Sequence, residues 1–125
     1  GLRLAAQFWP GPLTLVAAAA AELAGGVAAA DGTVAVRVPD HAVARALARG
    51  FGFPVTATGA NRSGEPPASR AGEVRAALGD AVAVLIDAGE APGGPPSTIV
   101  DVTQQLPRLV RAGAVAWDRV LESLK

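Results

Sequence analysis

Cysteine is absent, histidine occurs once, at His41, and lysine does not occur before the final residue, Lys125. The first absence excludes disulfides and thiolate metal sites and is compatible with a reducing compartment. A single histidine, with no paired carboxylates at a diagnostic spacing and no Ser-His-Asp set, gives hydrolysis no support. The lack of lysine and of a G-x-x-x-x-G-K pattern excludes a Walker phosphate loop. An excess of charge of either sign is missing too. Eleven basic and eleven acidic residues leave a formal net charge of zero, so there is no bulk attraction toward nucleic acid or an acidic membrane surface, and any polyanion has to be held locally. Long hydrophobic runs are lacking as well: the longest, Leu13 to Ala21, falls far short of the roughly 20 residues that span a bilayer. The N-terminus carries no charged-then-apolar secretory pattern with a cleavage site. Gly1 in place of Met points to processing, an expression scar or a chain cut from something longer.

What is present suits one domain, or a piece of one. The chain has 125 residues, half of them hydrophobic, and domains cluster at roughly 100–150 residues. "LRLAAQF", residues 2 to 8, reads as a helix stopped by the prolines of "WPGP", and "LTLVA" as a buried strand. Ala17 to Ala30 is open between a helix, which its alanines favour, and an irregular connection, which Gly25 and Gly26 favour. "TVAVRVP" alternates Val34, Val36 and Val38 against Thr33, Ala35 and Arg37, the pattern of a strand. Asp40 is expected to cap a helix over "HAVARALAR" that Gly50 ends. "PVTAT", "AVAVLID", "STIVDV" and "RLVRAG" read as further strands, Ser69 as the cap of a helix running to Leu78 and ended by Gly79, and "WDRVLESL" as a terminal helix. Strands alternating with helices imply an α/β fold with a mainly parallel or mixed sheet. The glycine- and proline-rich loops at strand ends are where ligands bind in such sheets.

Arg37 offers the two-pronged donor geometry that binds carboxylate or phosphate, against an ion pair with Asp40, Asp87 or Asp101. "PVTATGANRSGEPP" collects Thr58, Gly59, Asn61 and Ser63 on a stiffened loop. Glycine backbone N–H groups with positive φ can form an anion nest there, or the loop is an Asx-turn leading into a helix. Ser97 and Thr98 face a pocket or cap a turn. Arg111 contacts phosphate or solvates a strand end. Asp87, Glu90 and Asp101 are the carboxylates available to a hydrated magnesium ion, with turn roles competing. No catalytic residue is assigned.

In order along the chain, "FWPGPLTLV", "TVAVRVPDH", "PVTATGANRSGEPP", "DAGEAPGGPPSTIVDV" and "LVRAGAV" resemble the YrdC-like family, the threonylcarbamoyl-AMP synthases. The five motifs span Phe8 to Val115. The resemblance implies a twisted mixed α/β sheet with flanking helices and a large concave cavity. It implies a cytoplasmic nucleotidyltransferase that makes threonylcarbamoyl-AMP and pyrophosphate from L-threonine, bicarbonate and ATP, with magnesium brought by ATP chemistry. That adenylate feeds the tRNA-modification machinery. Matched residue by residue, Arg37, Ala57 and Ser97 fall on the threonine side, and Thr33, Gly59, Asn61, Ser63, Pro67 and Arg111 on the ATP side.

Two departures from the family pattern stand out. Its N-terminal P-T-E-T and K-x-R motifs are absent, so the expectation is a single YrdC-like domain over 1–125, truncated at the N-terminus. Gly59 stands where the family usually has serine, at a cost of about 1.5–3 kcal/mol if a hydroxyl bond to a charged phosphate goes unreplaced. Two other readings fit the same motifs: a non-catalytic nucleotide- or RNA-binding fragment, with strong direct nucleic-acid binding disfavoured by the neutral charge, and a carbamoyl-adenylate-handling domain of a larger maturation protein.

Overall fold

A computed structural model describes residues 1–125 apart from Ala21, Glu22 and Ala24. The chain divides into two compact units, one made of Gly1–Phe53 with Pro95–Lys125 and the other of Pro54–Gly94.

The first unit begins with α1, Leu2–Phe8. Leu4 and Phe8, one helical turn apart, are its buried residues, as an i, i+4 pair on one face should be. Four strands follow in the chain: β1 (Leu13–Ala18), β2 (Thr33–Val36), β3 (Thr98–Asp101) and β4 (Arg108–Arg111). They form a mixed sheet in the order β2-β1-β3-β4, antiparallel at β1–β2 and β3–β4 and parallel at β1–β3. Leu13 lies opposite Thr98 and Leu15 opposite both Val36 and Val100.

Side chains alternate between faces along a strand, and here the alternation sends one set of residues to the core. Leu13, Leu15 and Val100 join Leu4, Phe8, Val115 and Val120 in the core. Val120 comes from a terminal helix over Trp117–Glu122, and Arg119 of that helix lies 5.9 Å from the Phe8 ring centroid, within cation–π range. The core therefore sits between one face of the sheet and the two terminal helices.

A helix over Ala42–Phe51, here α2, follows β2. The cap is His41, whose Nδ1 accepts the Ala44 N–H at 3.3 Å, not Asp40. Asp40 instead pairs with Arg45 at 3.3 Å. The helix runs past Gly50 and stops at Gly52, which takes φ +81° at its C-terminus, a conformation glycine adopts without steric cost. The described part of the Ala17–Ala30 stretch beyond β1 is turns and bends, with Gly26 at φ +82°, so the irregular connection prevails there. Its positions Ala21, Glu22 and Ala24 lie outside the described residues.

The second unit contains α3, Ala71–Leu78, and a 3-10 turn over Gly79–Ala81. Arg70 rather than Ser69 is the N-cap residue. Glu73 reaches back to the backbone N–H groups of Ser69 (2.8 Å) and Arg70 (3.2 Å), the returning half of a capping box. "PVTAT" and "AVAVLID" are not strands. Among the described residues neither has a partner to pair with, and Val55, Val84 and Ile86 stay exposed. An apolar, β-branched run fits a pleated surface only where a neighbouring strand supplies one.

Candidate functional site

The face of the sheet opposite the core carries several polar side chains of the first unit beside apolar ones such as Val16 and Ile99. Ile99 pairs with Arg111, and Thr98, one residue earlier, is fully buried on the core side. Arg111 thus shares the opposite face with Ile99. By the same parity Thr14 and Thr33 lie on that face, because their neighbours Leu15 and Val34 belong to the register of the core side. One face of one sheet therefore collects three of the sequence-predicted residues, Thr33, Ser97 and Arg111, while Arg37 follows β2, which ends at Val36 instead of running on to Pro39 because the backbone beyond it has no ladder partner among the described residues.

Ser97 and Thr98 separate cleanly. The Thr98 hydroxyl donates to Val115 O at 2.6 Å and accepts the Val115 N–H at 3.0 Å, tying the segment before the terminal helix to β3. Ser97 turns the other way. Its Oγ lies 2.7 Å from Thr14 Oγ1, and both residues are only 9% exposed. Arg111 donates to Ser97 O through Nη2 (2.8 Å) and Nε (3.3 Å), and Nη2 also reaches Ser97 Oγ at 3.3 Å. Gly113 is glycine for a reason of space: a Cβ there would run into Pro96 O and the Ser97–Thr98 peptide. The chain after β4 is thus pressed against the backbone that presents Ser97.

Arg37 is anchored from one side. Its Nε donates to Gly11 O at 2.9 Å, while Gly11 N–H donates to Val38 O at 2.8 Å, so the "WPGP" loop and the end of β2 hold each other. Among the described residues Arg37 makes no ion pair with Asp40, Asp87 or Asp101. Among the described residues only its Nε is engaged in a hydrogen bond, and the Nη groups have no acceptor. Thr33 is engaged with Asp31, which accepts its hydroxyl at 2.7 Å and its N–H at 3.1 Å. The Thr33 hydroxyl bond is also the main reason the Asp31 carboxyl sits below its ordinary pKa.

The second unit holds Ala57, Gly59, Asn61, Ser63 and Pro67 on the loop leading to α3. Gly59 is not in the left-handed region. In this loop that role falls to Gly64, at φ +84°. A Cβ at 59 would meet only the end of the Asn61 side chain, Oδ1, which can turn aside, so the backbone there does not demand glycine. Asn61 Nδ2 donates to Arg62 O at 2.8 Å and Arg62 Nε to Ala77 O at 2.9 Å, so the loop is fastened to α3. Ala57, Ser63 and Pro67 are exposed.

The carboxylates weighed for magnesium are spent on local partners. Asp87 accepts Gly89 N–H (3.0 Å), Glu90 pairs with Arg70 (2.9 Å), and Asp101 holds Thr103 and Arg108. Among the described residues no group of three or more His, Cys, Asp or Glu could hold a metal ion, and the residues present do not fit a protein-held magnesium. Two surface indentations of the first unit, one lined by Arg3, Ala6, Gln7 and Ser123 and the other by Gly1, Leu4, Val102 and neighbours, contain none of the expected site residues. Thr14, Gly11 and Gly113 were not singled out by sequence reasoning. For Thr14 the available signal was a hydroxyl in the middle of the apolar run "LTLV".

Comparison with known proteins gives this geometry a family. The Sua5/YciO/YrdC family model, described as "Telomere recombination", matches residues 1–113. A relative from Mycobacterium tuberculosis is 45% identical over 117 residues, covering 94% of this chain and 54% of that protein. Threonylcarbamoyl-AMP synthase of Bacillus subtilis is 36% identical over 115 residues, 91% of this chain and 33% of that enzyme. The crystal structure of P. abyssi Sua5 complexed with L-threonine superposes with a TM-score of 0.87 at 35% identity, covering 97% of this chain and 36% of that one. The chain spans about half the length of the first of these relatives and about a third of the other two. On the extent of the family match and the agreement in fold, the chain belongs to the Sua5/YciO/YrdC family.

Proposed function

We propose that this chain serves L-threonylcarbamoyladenylate synthesis, in which L-threonine, bicarbonate and ATP give threonylcarbamoyl-AMP and pyrophosphate for threonylcarbamoylation of tRNA in the cytoplasm. The observation that carries the reading is the match in fold, over 97% of this chain, to a protein solved with L-threonine bound. Residues 1–125 then act within one YrdC-like domain of the greater length that its relatives have.

In this reaction threonine takes up bicarbonate or carbon dioxide as a carbamate, and the carbamate oxygen attacks the α-phosphorus of ATP with pyrophosphate leaving. Positioning and charge stabilisation suffice for such chemistry, without a covalent enzyme intermediate. Arg37 receives the threonine carboxylate on its free guanidinium edge, held in place by Gly11 O. In the first unit Ser97 is assigned to threonine with Arg37, and Thr33 and Arg111 to ATP, the Arg111 guanidinium also bracing Ser97. Taken by itself, the second unit's loop offers the Ala57 backbone for threonine and Asn61, Ser63, the Gly59 backbone and Pro67 for ATP. Magnesium enters as the counter-ion of ATP, and no step is assigned to a protein-bound ion.

The test uses the full-length protein. Pyrophosphate release from ATP is expected only when threonine and bicarbonate are both present, and threonine-independent release overturns the reading. Turnover of carbamoyl phosphate in their place identifies a carbamoyl-adenylate-handling domain instead. Arg37→Ala removes charge-assisted hydrogen bonds worth about 1.5–3 kcal/mol, so threonine affinity by calorimetry should fall roughly ten- to a hundred-fold. An unchanged affinity takes Arg37 out of the site.

A further inference from the structure

The hydroxyl of Thr14 sits where an apolar residue of the same shape would fill the sheet equally well, between Leu13 and Leu15 in β1 and almost fully buried. Burying a hydroxyl is unfavourable unless it finds a partner. Its partner is Ser97 Oγ, 2.7 Å away on the neighbouring parallel strand's entrance.

Either hydroxyl can be the donor of this contact, and the two directions leave Ser97 with different capacities. A serine hydroxyl has one proton and two lone pairs, and arginine is a donor only. One lone pair of Ser97 Oγ therefore faces Arg111 Nη2. If Ser97 gave its proton to Thr14, it would have no donor left for a substrate oxygen. If Thr14 gives the proton instead, both lone pairs of Ser97 are taken up inside the protein, and its own O–H is free to point outward.

We infer that Thr14 is a positioning residue for the amino-acid substrate: it donates to Ser97 Oγ and, with Arg111, turns the Ser97 hydroxyl into a fixed donor toward an acceptor oxygen of threonine. This rests on the proposed place of Ser97 on the threonine side. Thr14 does not touch the substrate. It removes the rotational freedom of the group that does, and Arg111, by bonding to Ser97 O at 2.8 Å, fixes the backbone from which that group projects.

The experiment compares Thr14→Val, which deletes the hydroxyl at nearly constant shape, with Thr14→Ser, which keeps it, each alone and with Ser97→Ala, in the full-length protein. Threonine-dependent pyrophosphate release is measured with threonine and ATP varied separately. Losing one neutral hydrogen bond should raise the threonine KM of Thr14→Val about three- to ten-fold, with the ATP KM unchanged and Thr14→Ser close to the parent protein. In the Ser97→Ala background Thr14→Val should add nothing, because the group it orients is gone. An unchanged threonine KM, an equal rise in both KM values, or a Thr14→Val penalty that persists in full beside Ser97→Ala overturns the inference. If Ser97→Ala itself leaves threonine KM untouched, the assignment of Ser97 fails, and the role of Thr14 with it.

Discussion

Asp101, at the end of β3, accepts the Thr103 hydroxyl at 2.6 Å, the Thr103 N–H at 2.9 Å and the Arg108 guanidinium at 3.0 Å. These bonds, that of the Thr103 side chain foremost, hold its carboxyl down at a pKa of about 2, below the usual aspartate value of about 3.9. A group whose pKa is lower in the folded than in the unfolded state stabilises the fold when ionised. That stabilisation is present above about pH 4 and is lost as pH falls toward 2. Asp101→Asn should therefore flatten the dependence of folding stability on pH between about 2 and 4 relative to the parent, as followed by acid titration of the far-ultraviolet circular dichroism. An identical slope in both proteins would remove Asp101 as its source. The same local bonds explain why Asp101 was a poor guide to a metal site from sequence. A carboxylate two residues before a threonine and seven before an arginine favours a turn over a metal ligand, and the geometry bears out the turn.

The strands "LTLVA" and "STIVDV" were legible because their apolar runs are both buried and paired with each other, and the terminal helices because Leu4, Phe8 and Val120 fall on buried faces. "PVTAT" and "AVAVLID" were misread for a physical reason: residue pattern tells which way side chains point in a strand but not whether a partner strand exists. Capping missed by one residue at both α2 and α3, because Asp40 and His41, or Ser69 and Arg70, are adjacent candidates and helix ends are decided by backbone dihedrals. Of the candidate residues, Arg37 and Arg111 were visible as arginines next to apolar strand residues. Thr14 was hidden, since its partner lies 83 residues away. Gly113 was hidden too, because no local sequence pattern shows that it allows backbone to meet backbone behind Ser97. Gly113→Ala should cost about 1–3 kcal/mol in urea unfolding, as overpacking does. A variant of parental stability would show that this close approach relaxes freely.

The two units differ in how they are held. The first has a buried cluster between sheet and helices. The second, Pro54–Gly94, contains no buried residue and is fastened by hydrogen bonds near its surface, such as Arg62 to Ala77 O and Ala91 to Ser69 O. Backbone protected only by exposed hydrogen bonds opens easily. Amide exchange followed by mass spectrometry should show β1 and β3 protected about a hundred-fold or more beyond α3, and comparable protection in both would contradict this account. α2 is likewise without a buried residue, with Leu47 and Phe51 exposed, and no helix among the described residues is long and apolar enough to cross a membrane.

The parallel pairing of β1 with β3 brings together positions that most of the chain separates, and this sets a kinetic order for the site. Thr14 and Ser97 meet only after a long loop has closed, so their hydroxyl pair is among the late features of folding, behind hairpins such as β3–β4 that close locally. Closure entropy grows only logarithmically with loop length, with a doubling costing about 0.6 kcal/mol. The segment between β2 and β3 is therefore free to lengthen or shorten considerably while the Thr14–Ser97 pair is kept. In this architecture changes of length are cheap in the connecting segment and expensive at the strand ends it joins.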